Sequence, residues 1–105
     1  MPSDRQQKLR EYLQSQPEDP FLNYGLAEAM ASEGDTAAAV ERLDLLLGFA
    51  PDYVPAYLRK GMFLVELDRQ DEARRTLEAG IPIAEAAGND HAAGEMRGVL
   101  DTLDD

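Results

Sequence analysis

The sequence predicts an all-α chain of repeated helix pairs, on three observations. Residues of matching size recur at a spacing of 34 positions, the stretches between them carry apolar side chains at helical spacing, and strand-like alternation is absent. The repeat is visible in Pro17 and Pro51, in Leu9, Leu43 and Leu77, and in Leu13, Leu47 and Ile81. Ala39 pairs with Ala73, Ala27 with Gly61 and Met30 with Leu64 in the same register.

Each helix has its own signals. Ser3 with Gln6 forms a capping box for a helix over residues 4–15. Asp19 caps the next, with Pro20 at the first helical position, where a missing N–H costs nothing. That helix bears Leu22, Leu26, Ala27, Ala29 and Met30 and stops at Gly34-Asp35, which also starts its successor. Ala39, Val40, Leu43, Leu46 and Leu47 carry the second helix of the pair up to Pro51. The plan repeats from about Val54 to Leu67 and from about Gln70 to Glu85. Pro82 inside the latter predicts a kink, because it deletes the bond to the Glu78 carbonyl. After Gly88-Asn89-Asp90 a last helix carries Met96, Val99, Leu100 and Leu103. The reading is a single domain over residues 1–105: an N-terminal helix at 4–15, repeats at 20–51 and 54–87, and a capping helix at 89–104.

Composition narrows the function classes. Against 10 basic residues stand 21 acidic ones, a formal net charge of −11. Nucleic acid and anionic membrane are poor partners for such a chain, since both require a basic patch. With no cysteine, disulfides, thiolate zinc sites and cysteine nucleophiles are excluded. The polar start Met1–Lys8 lacks the apolar stretch of a signal peptide, and the longest apolar run without a charge, Leu45–Pro51, is far below the ~20 residues that span a bilayer. A soluble, cytoplasmic protein is expected. The acidity reads either as colloidal solubility or as adaptation to high salt, the latter suggested by two lysines against eight arginines.

The 34-residue units resemble the tetratricopeptide repeat family. The matching residues are Leu26, Ala27, Met30, Gly34, Asp35, Ala39, Leu43, Leu46, Leu47 and Pro51 in one unit, and Tyr57, Gly61, Leu64, Ala73, Leu77 and Ile81 in the next. The resemblance implies a right-handed α-solenoid of antiparallel helix pairs, about two full repeats with flanking capping helices. Several positions depart from the family pattern. Asn23 replaces a large apolar residue, Tyr12 and Leu46 replace alanine, and Lys60 replaces leucine. Asp68-Arg69 replaces the glycine–aspartate turn and Glu85 the proline, so the second unit is expected to join its neighbour differently.

The resemblance further implies a non-catalytic interaction module that binds a peptide or protein segment in a groove lined by the first helix of each unit. By register that groove takes Phe21, Tyr24, Glu28, Ala31 and Ser32 from one unit, and Leu58, Met62, Val65 and Glu66 from the next. Tyr24 and Glu28 stand where a subset of the family carries a carboxylate clamp, so the clamp is absent. Met and Tyr are adaptable contact residues, and Glu28 and Glu66 favour a basic or amphipathic partner. The bland alternative buries Leu58, Met62 and Val65 under the last helix. A rival function is self-association to a homo-oligomer through the Leu9/Tyr12/Leu13 edge or the last helix. Nothing implies a cofactor or a metal: His91 and the serines Ser3, Ser15 and Ser32 read as capping or solvated groups. The acidic clusters Asp68-Asp71-Glu72 and Asp101-Asp104-Asp105 lack the glycine and ligand count of a calcium loop.

Overall fold

The computed structural model describes residues 2–103, and these form six helices and no strand. They are α1 (Asp4–Ser15), α2 (Pro20–Ser32), α3 (Thr36–Phe49), α4 (Val54–Glu66), α5 (Gln70–Ala86) and α6 (Asp90–Leu103). The chain divides into two compact units, Met1–Pro51 and Asp52–Asp105.

Four helices begin on a side-chain cap. Ser3 Oγ accepts from the Gln6 N–H, Asp19 Oδ1 from Leu22, Asp35 Oδ1 from Ala38 and Asn89 Oδ1 from Ala92. The capping box at Ser3 is half made. Instead of Gln6 reaching back, the carboxylate of Glu33, at the far end of α2, accepts the Ser3 N–H at 3.2 Å, the Ser3 hydroxyl at 2.7 Å and the Gln6 side-chain amide at 3.1 Å. The start of α1 is thereby tied to the end of α2.

Three turns close in the same way. Asp35 N–H donates to the Met30 carbonyl and Gly34 N–H to Ala31; Arg69 donates to Leu64 and Asp68 to Val65; Asn89 donates to Ala84 and Gly88 to Glu85. This paired pattern is the Schellman closure, and it needs a left-handed residue after the helix. Gly34 (φ +93°), Asp68 (φ +58°) and Gly88 (φ +73°) supply it. Asp68-Arg69 therefore reproduces the turn it was expected to alter, because aspartate tolerates the left-handed region better than most residues. Arg69 has no cap bond to offer; instead its guanidinium grips the Glu72 carboxylate with two bonds, at 3.0 and 2.7 Å. The difference between units lies after α5. Where α3 ends before Pro51, α5 runs unbroken through Pro82 to Ala86 and passes the Glu85 position into the Gly88 turn. Pro82 and Glu78 are both exposed, so water can serve the carbonyl that the proline leaves unpaired.

In the first unit α2 packs on both α1 and α3, burying Leu13, Leu26, Ala27, Ala29, Met30, Ala39, Val40, Leu43 and Leu46. In the second, α5 packs on α4 and α6, and a cluster of Val54, Leu77, Ala84, Ala92, Ala93 and Met96 forms the core. Backbone proximity there depends on glycine. A Cβ on Gly61 would overlap the Leu77 side chain, and one on Gly80 would lie 2.5 Å from Tyr57 Cβ and 2.7 Å from Met96 Sδ. In α6, by contrast, Gly94 faces open space.

These glycines are predicted to separate by sign. Gly61→Ala and Gly80→Ala overpack a helix crossing and lose about 1–3 kcal/mol. Gly94→Ala gains about 0.5–1 kcal/mol, because alanine restricts the unfolded chain and favours helix. Urea unfolding of the three variants checks the contrast.

Candidate functional site

The first-helix faces are built by helical spacing. Asp19 and Pro20 start α2 so that Phe21, Tyr24 and Glu28 fall on one side of it, at i, i+3 and i+7. Phe21 is 75% exposed, Tyr24 and Glu28 are half-buried, Ala31 is half-buried and Ser32 is exposed. In α4, Leu58, Met62, Val65 and Glu66 share a side in the same manner. Met62 is 37% exposed and its Sδ lies 3.6 Å from Arg59 Nη1; Glu66 is exposed and Val65 half-buried. Leu58 is different. It packs against the buried cluster that includes Ala92, Ala93 and Met96 of α6, so part of its surface belongs to the core of the second unit. The Arg59 guanidinium sits 4.6 Å from the centre of the buried Phe63 ring, a cation–π contact that fixes it beside Met62.

Beneath the α2 face lies a feature that the sequence pattern alone did not assign. Asn23 is fully buried, and every polar atom of its side chain is engaged. Its Nδ2 donates to the Pro17 carbonyl at 3.1 Å and to the Asp19 carbonyl at 2.8 Å, and its Oδ1 accepts from Arg42 Nη1 at 3.0 Å. One amide thus joins the α1–α2 loop, the first turn of α2 and the middle of α3. Burial, with the nearby positive charge of Arg10, pulls the Arg42 guanidinium below the usual arginine value. The signal available in the sequence was the departure itself, an asparagine at an apolar register position, with Arg42 the sole cation on α3.

The groups considered for chemistry are otherwise occupied. Ser3 caps α1, Ser15 and Ser32 donate to the carbonyls of Tyr12 and Ala29, and the exposed His91 pairs with Glu95 at 2.9 Å. Glu72 of the first acidic cluster is held by Arg69, which draws its carboxyl below the ordinary value. Asp104 and Asp105 of the second cluster lie outside the described residues. Among the described residues no group of three or more His, Asp or Glu side chains could hold a metal ion, and no helix is long and apolar enough to cross a membrane.

A family model described as tetratricopeptide repeat matches residues 30–94, more than half of the chain. The chain belongs to the tetratricopeptide repeat family. Solved structures agree. The crystal structure of a tetratricopeptide repeat domain protein from Salinibacter ruber matches with a TM-score of 0.78 at 30% identity, covering 83% of this chain and 97% of that one. The solution structure of a tetratricopeptide repeat domain protein from the same organism also gives 0.78, at 31% identity over 83% and 88% of the two chains. A Bordetella parapertussis protein shares the fold with a TM-score of 0.83 at 24% identity, over 96% and 88%. No curated protein matches the chain. Tetratricopeptide repeats are in general non-catalytic modules that bind proteins or peptides.

Two predictions follow from the polar contacts. Asn23→Ala removes the amide that Arg42 and the Pro17 carbonyl bond to at a fully buried position, while the Asp19 carbonyl keeps the backbone N–H of residue 23, and costs about 1–3 kcal/mol. Asn23→Leu restores the volume without the bonds and remains destabilised, which chemical denaturation can show. Glu33 is held below the usual carboxylate value, first by the Ser3 hydroxyl bond and further by Ser3 N–H, Gln6 and Arg5. A carboxyl depressed in the folded state adds stability above its unfolded value and loses it as the pH falls through its folded one. Glu33→Gln therefore lowers the melting temperature at neutral pH, and the gap to the parent chain closes on acidification below about pH 4.5.

Proposed function

We propose that this chain is a non-catalytic adaptor whose first-helix faces hold basic or amphipathic protein segments. In the first unit the face is Phe21, Tyr24 and Glu28; in the second it is Met62, Val65 and Glu66, with Leu58 at its edge. The observation that carries the reading is the exposure of large apolar side chains on the same helix sides as carboxylates: Phe21 stands open to solvent two turns before Glu28 on α2, and Met62 one turn before Glu66 on α4. Aromatic and methionine side chains provide contact area that adapts to different partners, and a rim carboxylate steers cationic ones.

The test uses synthetic amphipathic peptides rich in lysine and arginine, with glutamate-rich counterparts as controls. Tyr24→Ala and Met62→Ala are expected to cost a bound basic peptide about 1–3 kcal/mol each, with helicity unchanged by circular dichroism. Glu28→Lys slows association and flattens its salt dependence. A large loss of thermal stability in Tyr24→Ala would place that residue in the core, and the assignment of its face would fail.

A further inference from the structure

Helix α1 stands in the register of a second helix: Leu9 and Tyr12 precede Leu43 and Leu46 by one repeat. Leu43 and Leu46, on a helix that has α2 as its partner, are fully buried. Their counterparts are not. Leu9 is only half-buried and Tyr12 is 52% exposed, and no described helix stands to α1 as α2 stands to α3. What remains is an open groove of about 280 Å³ between α1 and α2, lined by Leu9, Tyr12, Phe21 and Gly25 with Arg5 and Lys8 on its margin. Its floor is low because Gly25 has no side chain; a Cβ there would lie 3.6 Å from Leu9, an ordinary contact.

The geometry points to this groove as the docking site for an acidic amphipathic helix of a partner protein. The groove takes a helix because the repeat places α2 against the equivalent positions of α3, Leu43 and Leu46. The charge comes from the margin. The first unit has nine acidic residues and four basic ones, and three of the four, Arg5, Lys8 and Arg10, are on α1. Two of these border the groove, while the other acids of α1, Asp4 and Glu11, do not line it. A local cationic rim on an otherwise anionic body selects an acidic ligand and repels a basic one. A second copy of the chain is a poorer occupant. A symmetric pairing of two such grooves would set four like charges in one isologous patch, and α6, the acidic amphipathic helix a copy could offer, already commits Met96, Val99, Leu100 and Leu103 to its own unit.

The groove shares Phe21 with the α2 face above but no other residue of either face, and its test is built to fail separately. The probe is a labelled synthetic helix as long as α2, with leucine and alanine at every third and fourth position and glutamate elsewhere, beside a version with lysine in place of glutamate. Anisotropy titration is expected to show saturable binding of the acidic probe and binding about ten-fold weaker for the basic one. Chemical-shift changes should concentrate at Leu9, Tyr12, Phe21 and Gly25. Tyr12→Ala weakens the acidic probe about ten-fold, and Arg5→Glu with Lys8→Glu reverses the preference, while Tyr24→Ala changes neither. These positions are exposed, so the charge-reversed variant tests the idea even if Tyr12→Ala proves less stable. Equal affinity for the two probes, no binding of either, or shifts elsewhere would overturn the proposal. So would a concentration-dependent dimer that Tyr12→Ala abolishes, since a second copy would then be the occupant.

Discussion

Two helices can lie backbone against backbone only where one of them has almost no side chain, and each unit is organised around that constraint. In the second unit Gly61 receives Leu77, and Gly80 receives Tyr57 and Met96. In the first, Ala27 and Ala39 stand at the positions equivalent to Gly61 and Ala73 and are fully buried. Fixed crossings of this kind set how far apart the helix axes sit, and that spacing in turn decides which side chains reach the surface. The first-helix faces and the α1–α2 groove are both read out from it.

The units reach the same arrangement with opposite distributions of volume. Asn23 and Leu46 are register equivalents of Tyr57 and Gly80. In the second unit the large residue is on the first helix and the glycine on its partner. In the first unit the smaller residue is on the first helix and the leucine on its partner, with both fully buried. Asparagine brings polar atoms into that space, and the Pro17 and Asp19 carbonyls and Arg42 satisfy them. Such a network is tolerated because it is complete, and completeness makes it specific for one loop conformation. Residues that looked like departures from a pattern, one at a time, are compensations when taken in pairs.

The helices themselves were legible because their signals are local. Caps at Ser3, Asp19 and Asp35, the proline after Asp19, the glycine turns and apolar spacing each depend on a few neighbouring residues, and each helix begins and ends within a residue or two of where they place it. The Asp68 turn was misread because aspartate can take a conformation that the pattern reserves for glycine. Long-range terms were not legible. No spacing rule connects Glu33 to Ser3 across 30 residues, or Arg42 to Asn23 across 19. The position of Leu58, partly on a face and partly in the core, depends on where α6 lies, and only the packed structure decides that.

The repeated Schellman turn also bears on how the chain folds. Each closure joins residues no more than five apart, and each brings a helix back against its immediate neighbour in sequence; among the described residues the strongest packing within a unit is between helices adjacent in sequence, and that of α4 with α6 is weaker. Contacts so near the diagonal require little loop-closure entropy before side-chain packing rewards them, and chains of this type fold in microseconds to milliseconds. Gly34, Asp68 and Gly88 are thus the points at which the chain doubles back on itself, and every such reversal is made by contacts local in sequence.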